Sequence, residues 1–597
     1  LIRRNYGIAI LLTLTSVAFG QQTGVVKEIV IRGNQRVSKE AILAAMRTKV
    51  GKPLNMEDLG RDKQSLEDLG FFSAVDPRAY PAELNSYSVT VDVQEWPAIK
   101  EFRVTGNTVI KTEEILKALT MKVGDVYNLN ARKTSGDAIV SLYSKKDFFA
   151  SVDDFSPLPD SPGTINIHVL ELRVGQVLVR GNVHTKDWVM RRLIKTRAGD
   201  VFSGEKWSKD LTRLHNTQWF DSVQGKSDDS AVEAGKVNLI ADVKEGRTGQ
   251  FNVGVQLDPQ SSLAGIIRLS EANLYGTGKT VSLNFTQAIS GGGPSVDLGY
   301  VNPFYDSKDT SMQASIYSRL TYRFGTSFLS GTSSPISNGS TYSERHTGTS
   351  LGFTRPITNQ VSVGISGRVE NVITSNTGAL PINSYVQEDG DVAVGSISLI
   401  RNRRDVDIDA SRGDFFKYTI EPGYSDITRV GGATNDNSIL GGNLFVRNTA
   451  ELREYWSPGQ KPRGTDFEAT RRVVAARIKY GWINGRVPYF EQFFAGGPDT
   501  LRGYDPDRFW GKQTLLMTLE YRHPIQKSFN LIGFIDYGGA WGGYGAVNNY
   551  TQDSTFRLHI GFGPGLSFKT QFGVIRVDLG FNESGKSQPD FLIGNSF

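Results

Sequence analysis

A short β-patterned run that closes on a Gly-Asn pair occurs three times: Ile29 to Asn34, Phe102 to Asn107 and Val177 to Asn182, with Gly33, Gly106 and Gly181 spaced 73 and 75 residues apart. Such constant spacing requires one small unit to be built three times along the chain, which narrows the fold more than any composition figure does. Each run leads into an amphipathic helix, with Ser38, Thr112 and Thr185 expected as N-caps. The pairs Ile42/Met46, Ile115/Leu119 and Val189/Leu193 stand four apart, so each helix has one core face. A second helical stretch ends at Phe71-Phe72, Phe148-Phe149 and Trp219-Phe220. An alternating strand then closes each unit on an acid: Val89 to Glu95, Ile165 to Glu171, Val237 to Glu245. The order is strand, helix, helix, strand, strand.

From about residue 247 helical periodicity stops, and segments of about ten residues alternate apolar with polar, the dyad expected when one face meets lipid and the other a wet lumen. In Thr514 to Arg522, Leu515, Met517, Leu519 and Tyr521 oppose Thr514, Thr518, Glu520 and Arg522. In Phe556 to Gly563, Phe556, Leu558, Ile560 and Phe562 oppose Arg557 and His559. In Val574 to Phe581, Ile575, Val577, Leu579 and Phe581 oppose Arg576 and Asp578. Roughly sixteen such segments fill the stretch to the C-terminus, each with its turn taking about 22 residues, which suits spanning strands of about 9–11. Closure follows, because an open sheet edge in hydrocarbon leaves unpaired backbone groups costing several kcal/mol each. No apolar run reaches the roughly 18 residues that a spanning helix needs.

Arg3 and Arg4 precede an apolar stretch from Gly7 to Phe19, and Ala18-Phe19-Gly20 supplies small residues for cleavage, so residues 1–20 read as a signal peptide. The 67 Lys and Arg against 62 Asp and Glu leave a net charge of +5 with no basic block, which sets aside nucleic acid as a partner. With no cysteine, disulfides, thiolate metal sites and thiol catalysis are excluded. Gly276-Thr277-Gly278-Lys279-Thr280 lacks the first glycine of a phosphate loop and reads as the turn between the second and third barrel strands. Gly348 to Gly352 spells a nucleophile elbow inside an alternating segment, and the six histidines are scattered. No catalytic constellation, cofactor site or metal site is expected.

The repeats resemble POTRA domains, small periplasmic modules, at residues 21–96, 97–172 and 173–246, followed by an outer-membrane β-barrel at 247–597. A three-stranded sheet covered by two helices on one face leaves a strand edge to which an extended client can add through backbone hydrogen bonds. The motifs Phe494-Ala495-Gly496-Gly497 and Leu501-Arg502-Gly503-Tyr504 resemble the paired loop motif of the BamA-type insertase superfamily, with Leu501 where the family usually has Val. The chain's end, Phe591 to Phe597, resembles the recognition signal of bacterial outer-membrane barrels. The resemblance implies three tandem α+β POTRA domains before a sixteen-stranded antiparallel transmembrane barrel. It implies a loop folded into the lumen, where Arg502 meets Glu520 and Asp536 on the inner wall. It also implies a weak seam between the first strand, near Gly249 to Leu257, and the last, near Pro589 to Phe597, where Gly594 could kink the pairing. The expected function is folding and inserting β-barrel proteins into the bacterial outer membrane, without ATP. The expected partners are unfolded outer-membrane proteins, periplasmic chaperones, the lipoproteins of an assembly complex, and outer-membrane lipid. The alternative is an exporter of the same superfamily, of the translocation-and-assembly or two-partner secretion type.

Overall fold

The Gly-Asn pairs recur because each makes the same turn. In a computed structural model of the chain, Gly33, Gly106 and Gly181 have φ of 89°, 84° and 88°, and a Cβ on them would stand 2.0, 2.1 and 1.9 Å from the carbonyl oxygens of Val93, Val169 and Val243. Only glycine tolerates both the left-handed backbone and that approach. The asparagine then closes the loop: Asn34, Asn107 and Asn182 donate from Nδ2 to the carbonyls of Val37, Ile110 and Thr185. The structure describes residues 24–593 other than 84, 229–232, 234, 259–261, 289–292, 324–341, 376–384, 408, 434–436, 462–465, 467–469, 548–551 and 571–572. The signal-peptide segment, Gly594 and Phe597 lie outside the described residues.

The first repeat runs β1 (Val25–Arg32), α1 (Lys39–Ala45), α2 (Met56–Asp68), β2 (Phe72–Pro81), β3 (Ser86–Glu95). The second runs β4 (Glu101–Thr105), α3 (Thr112–Ala118), α4 (Leu129–Lys145), β5 (Ala150–Leu158), β6 (Ser161–Glu171). The third runs β7 (Arg173–Arg180), α5 (Asp187–Leu193), α6 (Gly204–Asn216), β8 (Phe220–Asp228), β9 (Lys236–Glu245). Each forms a three-stranded sheet with its last strand in the centre, in the orders β1-β3-β2, β4-β6-β5 and β7-β9-β8. Ile42, Ile115 and Val189 are fully buried beneath the sheets.

The closing acids hold the loops after the glycines. Glu95 accepts from the backbone N–H of Gln35, Arg36 and Val37, and Glu245 from those of His184 and Thr185. Glu171, 3% exposed, accepts from the N–H of Thr108 and Val109 and from the Tyr143 hydroxyl. Burial pushes the Glu171 carboxyl up, but the bonds from Thr108, Val109 and Tyr143 outweigh it and hold the pKa below its ordinary 4.5. Glu171→Gln is expected to loosen the second repeat by about 1.5–3 kcal/mol, the worth of hydrogen bonds to a charged group. Hydrogen exchange over α3 in the full chain measures it. Because the folded pKa is depressed, the gap between variant and wild type is full above about pH 4.5 and closes as pH falls through the folded value.

Two of the three expected N-caps are corrected. Ser38 caps α1, accepting from the Ala41 N–H at 3.2 Å. The N-caps of α3 and α5 are instead Lys111 and Lys186, neither with a side-chain cap bond. The hydroxyls of Thr112 and Thr185 serve as acceptors for Asn107 and Asn273.

The remaining strands form one antiparallel sheet of sixteen, in chain order, that makes the barrel. They are β10 (Gly249–Asp258), β11 (Ser262–Leu274), β12 (Lys279–Ala288), β13 (Pro294–Asn302), β14 (Ser311–Arg323), β15 (Tyr342–Pro356), β16 (Val361–Ser375), β17 (Val386–Asn402), β18 (Gly413–Gly432), β19 (Gly441–Trp456) and β20 (Val473–Gly485). After a loop hairpin, β21 (Phe493–Ala495) with β22 (Phe509–Gly511), come β23 (Gln513–Gln526), β24 (Phe529–Trp541), β25 (His559–Thr570), β26 (Gly573–Asn582) and β27 (Ser587–Ile593). In β23, Thr514, Thr518, Glu520 and Arg522 are buried inward, while Leu519 and Tyr521 are 49% and 46% exposed on the outer face that meets lipid. The expected strand from Phe556 is corrected: β25 starts at His559. The preceding residues fold back on the end of β24, with Phe556 edge-on to Trp541 at 4.9 Å and Asp553 accepting from the Gly542 N–H. The glycine-rich segment from Gly276 is the β11–β12 turn, and Gly348 to Gly352 lie within β15. Among the described residues no helix is long and apolar enough to cross a membrane, and no cluster could hold a metal.

Contacts divide the chain into two compact units. One holds the first two repeats with short stretches of the third; the other holds Gln176–Arg197, Lys206–Asp228 and Asn238–Phe597.

Candidate functional site

The loop between β20 and β23 folds into the barrel because glycines let its tip lie flat on the wall. Gly496, Gly497 and Gly503 have φ of 122°, 90° and 89°. Across from the tip, a Cβ on Gly561 would meet the Arg502 carbonyl at 1.9 Å, and one on Gly580 the Gly503 nitrogen at 2.4 Å. Wall and loop therefore both need glycine where their backbones touch. Leu501 is fully buried, packed with Ala495, Tyr504, Phe509 and Leu516. The Tyr504 hydroxyl donates to the Ile560 carbonyl at 3.1 Å, and Phe509 stacks on His559 at 4.0 Å between centroids. Phe494 lies under the Arg323 guanidinium at 4.0 Å.

Arg502 is 1% exposed. Its Nε and Nη2 donate to the two oxygens of Asp536 at 2.6 and 2.7 Å, a bidentate fork, and its Nη1 donates to Glu520 at 2.9 Å and Asp578 at 3.1 Å. The guanidinium lies 3.5 Å from the centre of the Phe534 ring, so one face is covered by π density. The structure thus brings Arg502, Glu520 and Asp536 together. The network is larger than the sequence reading. Arg576 bridges Glu520 and Asp578, each at 2.7 Å, and Arg522 donates twice to Glu520. These three arginines alternate with these three acids, so each ion is desolvated beside an opposite one. The Gly503 N–H approaches Asp590 of β27 at 3.4 Å, which brings the tip to the last strand. Phe591, beside it in β27, pairs in register with Val577 of β26.

Asp578, Arg576 and Arg522 already stood on the lumen phase of their alternating segments, and that phase was the signal that could have added them. Nothing in the sequence marked a second attachment. Glu491, in the 3₁₀ turn Tyr489–Glu491 on the loop's entering arm, accepts from Arg368 of β16 at 2.5 Å and Arg447 of β19 at 3.1 Å. The two arginines also pair with Glu370 and Glu421. The loop therefore carries charged ties of both polarities: its acid Glu491 to wall arginines, its arginine to wall acids.

A sixteen-stranded barrel with an apolar outer face, an inward loop locked by ion pairs, and three POTRA-type repeats before it defines an outer-membrane protein with periplasmic N-terminal domains. The Omp85 superfamily domain matches residues 273–597, more than half of the chain, and the POTRA family, described as a surface antigen variable number repeat, matches 24–95, 97–171 and 172–246. The chain belongs to the Omp85 superfamily. It is 24% identical to the outer membrane protein assembly factor BamA of Nitratidesulfovibrio vulgaris, over 83% of this chain and 60% of that protein. It is 21% identical to the BamA of Neisseria meningitidis, over 77% of this chain and 59% of that protein. The chain thus spans about three fifths of the length of these relatives. Among solved structures it shares the fold of CdiB from Escherichia coli, with a TM-score of 0.50 and 13% identity over 88% of this chain and 92% of that one.

Proposed function

We propose that this protein folds and inserts β-barrel proteins into the outer membrane, with the POTRA edges capturing unfolded clients and the β10–β27 seam admitting them. The observation that carries the reading is the loop lock, which ties the lumen to β23, β24 and β26 and reaches β27, so that the loop braces the wall beside the seam. Relatives named as assembly factors over most of this chain support it. Capture fits the repeats: among the described residues β2, β5 and β8 each pair on one side only, with the central strand, leaving an edge for an added strand. The work is non-covalent, exchange of backbone hydrogen bonds, and needs no cofactor or ATP. Periplasmic chaperones and lipoproteins of an assembly complex are the partners that such a receptor would use. Depletion of the protein followed by a census of outer-membrane barrels tests the reading. General loss of barrels is expected; loss of a single secreted partner would show an exporter.

Among the described residues the last strand, β27, spans Ser587–Ile593. A cysteine placed on each of β10 and β27 is expected to form a disulfide that stops client insertion, reversibly with reductant. The chain has no native cysteine to confuse the result. Normal insertion by the locked form would count against lateral opening.

A further inference from the structure

A cavity of about 360 Å³ opens on the outer side of the barrel, between the turn after β13 and the β15–β16 hairpin. This is the periplasmic end, since both the β11–β12 turn and the turn after β13 touch the third repeat there: Lys186 N–H donates to the Gly276 carbonyl, and Arg192 to Asp309. Phe353 pairs across the ladder with Ile365, and Arg355 with Val363. These four continue the outer phase of Leu351 and Val369, which are 45% and 58% exposed. An arginine on a lipid-facing phase is out of pattern, and it is tolerated far better near the interface than at the midplane.

Arg355 is also fixed. Its Nε donates to Thr310 Oγ1 at 2.8 Å and its Nη2 to Asp306 at 2.5 Å. Asp306 is held in turn by the N–H groups of Lys308 and Thr310, at 2.8 and 3.0 Å. Nη1 has no partner among the described residues, and the side chain is 45% exposed. Lys308 is exposed on the same turn. Because Asp309 there is paired with Arg192 and Lys195, an added anion meets Arg355 and Lys308 against Asp306. Below the guanidinium the cavity is apolar, and Tyr305 stands edge-on to Phe353 at 5.3 Å with 55% of its surface exposed. A half-exposed tyrosine packed against a lipid-facing phenylalanine suits the headgroup level.

A pre-aimed guanidinium above an apolar seat, at the rim of a membrane barrel, matches one ligand chemistry: a phosphate joined to an acyl chain. We propose that this cavity holds a phospholipid of the periplasmic leaflet, its phosphate on the open edge of Arg355 and one acyl chain along Phe353, Val363 and Ile365. The cavity takes the phosphate and the first part of the chain; the rest lies in the bilayer. The same turn seats α5 of the third repeat: the Asp306 carbonyl accepts from Arg192, Asp309 pairs with Arg192 at 2.8 Å and Lys195 at 2.5 Å, and Phe304 packs against Trp188. Bound lipid therefore steadies the turn on which the third repeat docks.

The test uses the full chain in mild detergent, stripped of lipid and titrated with phosphatidylglycerol, with bound lipid counted by native mass spectrometry. One saturable lipid is expected. Arg355→Gln is expected to weaken it at least about tenfold, roughly 1.4 kcal/mol. Arg355→Lys, which keeps the charge but not the fork, falls between. Val363→Trp, which fills the acyl seat and leaves every charge in place, weakens it as strongly, whereas Lys527→Gln at the β23–β24 hairpin leaves it unchanged. Equal binding by Arg355→Gln and wild type, or full binding by Val363→Trp, would overturn the proposal. Displacement of the lipid by equimolar inorganic phosphate would overturn it too, by showing a bare anion site. Should Arg355→Gln not fold, Val363→Trp and the phosphate competition decide the matter.

Discussion

Arg502→Ala is expected to lower the barrel's resistance to urea by about 3–5 kcal/mol, the cost of breaking a buried ion pair by removing one partner. The loss falls chiefly on Asp536. Glu520 retains Arg576 and Arg522, and Asp578 retains Arg576, but among the described residues Asp536 meets no other cation. Arg502→Lys is expected to recover only part, since an ammonium cannot reproduce the fork on Asp536 while also reaching Glu520. Asp536→Asn in the Arg502→Ala background removes the stranded charge, so the double variant is expected to lose less than the sum of the two single ones. Urea midpoints and client insertion rates are the measurements. Additive losses, or wild-type behaviour of Arg502→Ala, would reduce the loop arginine to a bystander.

The magnitude of that effect is a place where sequence reasoning and structure part. Alternation places Glu520 and Asp536 on the lumen phase, and a lumen phase reads as wet, which argues for the lower half of the range. The structure shows Arg502, Glu520 and Asp536 with almost no exposed surface, roofed by Phe534 and by the loop itself. The acids are covered by the loop's own tip, a tertiary effect that period-two patterning cannot report, and the upper half of the range follows.

Elsewhere the division is similar. The repeat architecture was legible because its signals are local: a glycine with positive φ, an asparagine bonded three residues on, an acid at the strand end. The barrel was legible because lipid and lumen impose a strict dyad on strands such as β23 and β26. Thr112 and Thr185 are not N-caps because α3 begins at Thr112 itself and α5 two residues after Thr185, so neither hydroxyl stands at the cap position, and they accept from Asn107 and Asn273 instead. The start of β25 was misplaced because apolar alternation through Phe556 and Leu558 continues into a segment that packs on Trp541 instead of pairing. The second attachment of the loop was illegible for a different reason. Glu491, Arg368 and Arg447 are far apart in sequence, and only the curved sheet with the loop folded against it brings them together.

That attachment gives the last expectation. Glu491→Gln is expected to cost about 1.5–3 kcal/mol, less than Arg502→Ala, because Arg368 and Arg447 keep Glu370 and Glu421 when the loop acid is neutralised. The sharper prediction concerns coupling. If the loop acts as one strut between the wall at β16 and β19 and the wall at β23, β24 and β26, releasing either end lets the other relax. The second release then costs less than it does alone. The Glu491→Gln, Arg502→Ala double variant should fall short of additivity by about 0.5–3 kcal/mol, although the two residues share no contact. Hydrogen exchange over β21, which lies between the two attachments, should rise in either single variant and rise little further in the double. Strict additivity, with exchange rising only on the side of each substitution, would show two independent clasps on a loop that transmits nothing between them.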